Sequence, residues 1–172
     1  TAVYTVTVNT AALPEPITPG VDNKKPAPKP EVKLPFTDVS TSDWFYDDVA
    51  FVYKNGLFSG TDSRSFSPNA SMTRAMLVTV LYRLEGEPAV TGRSSFTDVR
   101  SGAYYEKSVI WAAANGIVTG TDSTSFSPDA KVTREQLAAI LYRYAQYRKL
   151  DTDVSAKLNS FTDADSVSAY AS

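Results

Sequence analysis

The sequence predicts a mostly α-helical protein built from tandem helix–loop–helix repeats, on three observations. From Phe36 onward the chain repeats itself sixty positions later, Phe36 matching Phe96. Each copy contains segments whose apolar residues recur at helical spacing. Those segments are bounded by Asn-Gly stops and Thr starts. A single unit of this kind cannot bury its own apolar face, so copies must pack on one another. With 42% apolar and 21% charged residues the 172-residue chain has a globular composition.

The elements follow in order. In residues 1–12, Tyr4, Val6 and Val8 alternate with Thr5 and Thr7, the pattern of a half-buried β-strand. A strand is not stable alone, so it is expected to be the last strand of a β-domain upstream. With no initiating Met, the chain is expected to be a piece of a longer protein. Residues 13–35 contain Pro14, Pro16, Pro19, Pro26, Pro28, Pro30 and Pro35, interspersed with Lys24, Lys25, Lys29 and Lys33. Proline locks φ and removes amide donors, which predicts an extended, solvated spacer reaching on the order of 70 Å at roughly 3.1 Å per residue.

Two copies span 36–92 and 93–157, and a third opens at 158–172. The first helix begins near Asp47 and near Tyr105, with apolar stripes Val49, Val52, Tyr53 and Val109, Ala112, Ala113. Asn55-Gly56 and Asn115-Gly116 end it, because glycine supplies a left-handed cap. A Gly-Thr-Asp-Ser loop follows at Gly60 and Gly120, then Phe66 and Phe126 are expected to plug into the core ahead of a Ser-Pro turn. The second helix starts at Thr73 and Thr133, good N-caps; Thr133 with Gln136 forms a capping box and Thr73 with Met76 does not. Leu77, Val80, Leu81, Leu84 and Leu137, Ile140, Leu141, Tyr144 form its stripe.

Several functions are excluded by composition. Without His or Cys there is no Ser-His-Asp triad, thiol nucleophile or common zinc site, and no metal or cofactor is implied. The net charge of −2 lacks the basic excess of a nucleic-acid binder. No run approaches the roughly 18 apolar residues of a membrane span, so no membrane insertion is expected. The acidic cluster Asp38, Asp43, Asp47 and Asp48 lacks the oxygen spacing of a calcium loop. Carboxylate pairs suited to a glycosidase arise by chance among so many acids, and the protein is read as a non-enzyme.

Phe-Thr-Asp-Val, an aromatic eight residues on (Trp44, Tyr104), Asn-Gly-(Leu/Ile)-X-X-Gly, Phe-Ser-Pro and Thr-Arg, in this order, resemble the S-layer homology repeat over residues 36–172. The resemblance implies three repeats wound into a pseudo-threefold spindle, with second helices in a central bundle and first helices and loops as prongs. It also implies an exported, extracellular protein anchored non-covalently to a secondary cell-wall polysaccharide, often through a pyruvate ketal on the terminal sugar. The upstream strand and spacer suit such a surface protein.

Three features depart from the family pattern. The motif Thr-Arg-Ala-Glu reads Thr73-Arg74-Ala75-Met76 and Thr133-Arg134-Glu135-Gln136, which is expected to weaken the helix start more than binding. Ser63-Arg64 and Ser123-Thr124 replace an Asp-Gly, so the loop is expected to differ in shape. The third copy ends before its Thr-Arg helix, leaving at most one complete groove, between copies one and two. Part of the central stripe then lacks cover, which predicts poor stability or completion in trans by self-association through the incomplete third repeat.

A ketal carboxylate suits the planar fork of arginine. Arg74 and Arg134 directly follow the helix N-caps, where free amides and the helix dipole also favour an anion. The residues alone leave open whether each arginine instead pairs with Asp38 or Asp98. Trp111, then Tyr82 and Tyr142, are candidate aromatic platforms for a sugar ring, against the alternative of core packing. Gly60 and Gly120 are candidates for close ligand approach or simple turns. Ser63, Ser123, Asp62 and Asp122 are candidate polar contacts or loop self-caps.

Overall fold

The computed structural model describes residues 32–153 and 161–171. Four helices follow one another: α1 (Tyr46–Lys54), α2 (Arg74–Leu84), α3 (Glu106–Ala114) and α4 (Arg134–Tyr147), with a 3-10 turn at Ala164–Ser166. Among the described residues β-pairing is confined to an isolated antiparallel bridge between Thr73 and Lys131. The strand expected at 1–12 and all but the end of the spacer lie outside the described residues.

The helix boundaries fall where local chemistry puts them. Asn55 Nδ2 donates to the Phe51 carbonyl and Asn115 Nδ2 to that of Trp111, both at 2.8 Å. Gly56 and Gly116 then take φ of +68° and +69°, a region glycine enters without steric cost. Thr73 Oγ1 accepts from the Met76 amide at 3.2 Å with no reciprocal bond, whereas Thr133 and Gln136 form the full capping box. The starts of α1 and α3 have no side-chain cap. The turn before each is held by a carboxylate, Asp43 accepting from the Ser40 amide and Glu106 from the Gly102 amide, both at 2.7 Å.

Within each copy, the opening Phe-Thr-Asp is tied to its own Phe-Ser-Pro turn. Asp38 accepts from the amides of Phe66 and Ser67 at 2.9 and 2.8 Å. Asp98 accepts from those of Phe126 and Ser127 at 2.8 and 2.7 Å. The amides hold the Asp38 carboxyl below its ordinary value, Phe66 contributing most. The clamp keeps Ser67 and Ser127 in the left-handed region, at φ of 59° and 58°, which serine otherwise avoids. Asp62 and Asp122 cap their loops internally, accepting from residues two and three positions on.

The main core forms between copies rather than within one. Helix α2 packs on α3, and Val78, Leu81 and Tyr82 of the first copy meet Val109, Trp111, Ala112, Ile117 and Phe126 of the second. The hydroxyls of Thr79 and Ser108 meet at 3.0 Å inside this interface. A smaller cluster, Phe36, Val39 and Val49, lies under α1. Phe126 is fully buried, while its counterpart Phe66 is half-buried against Phe36 and Phe58. Helix α4 buries Ala139 and Ile140 but leaves Leu137, Leu141 and Tyr142 exposed. Its far end is held by Glu85, which accepts from the Tyr144 hydroxyl and from Arg148 Nη1. Partial burial, then the bond to Glu85, pushes the Tyr144 phenol up to about 12.

The two plugs should therefore differ in worth. Phe126→Ala is expected to cost about 3–5 kcal/mol, and Phe66→Ala clearly less, in paired urea unfolding curves; equal losses would contradict the inter-copy core.

Candidate functional site

The start of α2 is stitched into the second copy. The amides of Arg74 and Ala75 donate to the carbonyls of Ala130 and Pro128 at 2.9 and 3.0 Å, and the Val132 amide donates to Met72 O at 3.1 Å. The orphan donors that every helix start carries are thus satisfied by protein. This corrects the expectation of free amides for an anion at α2.

The side chain of Arg74 crosses the same seam. Its residue is 5% exposed. Nε donates to the Phe126 carbonyl at 2.8 Å and Cζ lies 4.8 Å from the centre of the Phe126 ring, a cation–π contact. Among the described residues no buried side-chain nitrogen or oxygen lacks a partner. The remaining guanidinium nitrogens therefore reach the surface of a cavity of about 330 Å³, which Arg74 lines with Gly120, Thr121, Gln136, Arg143 and Tyr170. Burial lowers the affinity of Arg74 for its proton, yet a guanidinium stays charged. The result is a desolvated cation opening on a groove whose lining contains no carboxylate. Asp98 and Asp38, the alternative partners, are engaged by the backbone amides of their own turns.

The segment 161–171 contributes one wall. Glu135 accepts from the Ser168 amide at 3.1 Å and from the Tyr170 hydroxyl at 2.9 Å, fixing Tyr170 at the groove. These bonds, the Ser168 amide first, hold the Glu135 carboxyl below its ordinary value. A second cavity, of about 560 Å³, occupies the corresponding place in copy one, lined by Phe58, Gly60, Thr61, Met76, Arg83 and Tyr104 among others. Tyr104, from copy two, reaches Thr73 and stands there as Tyr170 stands in the first groove.

The structure sorts the sequence candidates. Arg74, Gly60 and Gly120 line the grooves. The glycines are also steric necessities: a Cβ on Gly120 would lie 2.6 Å from Phe96 and one on Gly60 2.5 Å from Phe36. Arg134 is exposed and lines neither cavity. Trp111 is corrected to a core residue: it is 3% exposed, and the rings of Tyr82 and Tyr147 lie 5.7 and 5.5 Å from it, so no face is left for a sugar. Tyr82 is likewise buried, its hydroxyl donating to Pro88 O at 2.8 Å. Tyr142 is exposed outside both grooves, and Ser63 and Ser123 sit at exposed loop tips away from them. Groove residues that sequence reasoning passed over include Thr121, Gln136, Arg143 and Tyr170 in one and Arg83 and Tyr104 in the other. Arg143 closes the Leu-Tyr-Arg that stands at 81–83 and again at 141–143, with nothing in the sequence to mark it as lining a cavity.

Fold and grooves together define a repeat-built module that presents a cationic cleft between copies. Residues 35–75 and 95–138 match the model of the S-layer homology domain, and the chain belongs to this family through these two repeats. It is 32% identical over 138 residues to an endoglucanase of Bacillus sp. (strain KSM-635), covering 80% of this chain and 14% of that protein. It is 33% identical to the surface-layer 125 kDa protein of Lysinibacillus sphaericus, covering 63% of this chain and 10% of that one. It is 26% identical to a cellulosome-anchoring protein of Acetivibrio thermocellus, covering 64% of this chain and 26% of that one. The chain thus spans only a small part of each relative.

Because Glu135 is depressed in the folded state, its hold on Tyr170 is present above the usual glutamate range and is lost as pH falls through the depressed value. Glu135→Ala is expected to lower the protection of the Ser168 amide against exchange at neutral pH, and wild type to lose the same protection, relative to the intrinsic rate at each pH, on acidification. Unchanged exchange in the variant would remove Glu135 from this role.

Proposed function

We propose that these repeats hold a bacterial surface protein to the cell wall by binding an acidic secondary cell-wall polysaccharide in the groove beside α4. Cell-surface location and an anchoring role are properties of the family, and the surface-layer and cellulosome-anchoring relatives agree with them. The observation that carries the finer reading is the Arg74 guanidinium, buried by the seam between copies yet open on the cavity. A carboxylate, such as that of a pyruvate ketal on a terminal sugar, would supply the direct, bidentate pair that Asp98, acting on this cation only through space, does not. Thr121 and Gln136 offer hydrogen bonds to sugar hydroxyls, Gly120 admits close approach, and Tyr170 offers an aromatic edge. No bond is made or broken in the repeats. Any catalysis would lie in other parts of the parent protein, as with an endoglucanase whose length this chain matches over only 14%.

In the whole protein, residues 1–12 would close an upstream β-domain, 13–35 would space it from the wall, and 36–92, 93–157 and 158–172 would be two repeats and the opening of a third. Completion of the third would close a pseudo-threefold spindle. A second reading is favoured by the exposed Leu137, Leu141 and Tyr142 on α4: a structural module that self-associates through this face, without glycan.

Retention on purified cell walls, before and after chemical removal of the secondary polymer, separates the two. Polymer-dependent retention is expected, and Arg74→Ala should weaken it about tenfold or more, the scale of a charge-assisted hydrogen bond. Equal retention on both preparations, with size growing with concentration in chromatography, would favour self-association.

A further inference from the structure

The two grooves occupy corresponding places in the repeat, and their arginines are not in the same state. Arg83, in the groove beside α2, is internally engaged. Its Nη1 donates to Leu57 O at 3.0 Å and lies 3.3 Å from Ser59 Oγ, while Nε lies 4.0 Å from Glu87. Sixty residues on, Arg143 occupies the corresponding position beside α4, half-buried and, among the described residues, without a hydrogen bond or ion pair. Two sequence differences accompany this. The position of Glu87 is taken by Tyr147, whose ring is packed on Trp111. The position of Met76 is taken by Gln136, which turns an apolar wall into an amide. The α4 groove therefore combines two guanidiniums, those of Arg74 and Arg143, with no acid in its lining; the α2 groove is mainly apolar, with its one guanidinium in use.

We infer that Arg143 is a second ligand-contacting arm and Arg83 is not, so that of these two grooves only the one beside α4 takes a sugar bearing an acid group. The inference rests on the groove reading above and adds which groove is used and which second residue serves it. Two partly desolvated cations in one cavity select an anion, because each lost hydration on folding and neither has a direct ion pair among the described residues, Asp98 acting on Arg74 only through space. The recognised chemistry is a carboxylate on a sugar, whether from a ketal-linked pyruvate or a uronic acid.

The test uses the chain itself in calorimetric titrations with two probes, methyl 4,6-O-(1-carboxyethylidene)-glucopyranoside and methyl glucuronide, each beside its uncharged methyl ester. The acid that binds is expected to exceed its ester by about tenfold or more, and which acid it is distinguishes the two sources. Arg143→Gln should reduce acid binding towards that of the ester, and Arg143→Lys should restore part of it. Arg83→Gln should change it less than about twofold. In the amide spectrum the acid should shift Gly120 and Thr121 and leave Gly60 and Thr61 in place. Arg143 has no hydrogen bond or ion pair to lose among the described residues, so its variants should unfold at the wild-type urea concentration, which separates binding from folding. Equal effects of the Arg143 and Arg83 variants, or shifts at both glycines, would overturn the inference, as would a wild-type chain that binds neither acid. If polymer-dependent wall retention persists in that last case, the anchoring reading survives it. If the acids bind as expected but wall retention is independent of polymer, this inference stands and anchoring fails.

Discussion

The seam between the start of α2 and the Phe126–Val132 turn is the interaction on which the rest of the molecule depends. A helix start carries donors that must find acceptors, and here the neighbouring copy provides them through Pro128 and Ala130. The same turn presents the Phe126 carbonyl and ring to Arg74. The turn in turn keeps its unfavourable Ser127 backbone because Asp98 accepts from two consecutive amides. Core and groove are thus two faces of one contact. The side of Phe126 that fills the interior between copies belongs to the residue that aims the cation outward.

Repetition supplies the scaffold, and a few changed positions give each groove its character. Both copies keep the clamp, the glycine against the opening phenylalanine and the threonine cap. These are demands of backbone geometry, and any copy must meet them. The positions occupied by Met76 in one copy and Gln136 in the other line the clefts, those of Glu87 and Tyr147 lie four residues beyond the groove arginines, and none of them is under that constraint. A repeat protein can therefore divide labour between its clefts without disturbing how its copies pack. The matches to relatives of quite different overall activity, each over a small part of its length, accord with a module that travels as a unit.

Much of the fold was legible in the sequence because its signals are local. Asn-Gly stops, threonine caps and apolar spacing each act within a few residues, and α1 and α3 end, and α2 and α4 begin, where they predict. The site was legible only in part because burial is not local. Arg74 and Arg134 sit in near-identical sequence contexts, yet one lies beneath the turn of the next copy and the other is exposed. Trp111 had the composition of a sugar platform and the position of a core residue, and the rings of Tyr82 and Tyr147, distant in sequence, settle it. The aspartates of Phe-Thr-Asp were candidates for arginine pairing; that they accept from turn amides follows from a contact between residues 28 and 29 positions apart.

The two tryptophans occupy opposite extremes. Trp44 is 88% exposed, with the ring of Phe45 5.4 Å away, while Trp111 is enclosed between tyrosines. Their ultraviolet emission should accordingly separate into a red, iodide-quenchable component and a blue, protected one. The molecule thereby contains a pair of optical reporters, one for whatever comes to cover the turn before α1 and one for the integrity of the interior, readable in the same spectrum without a label.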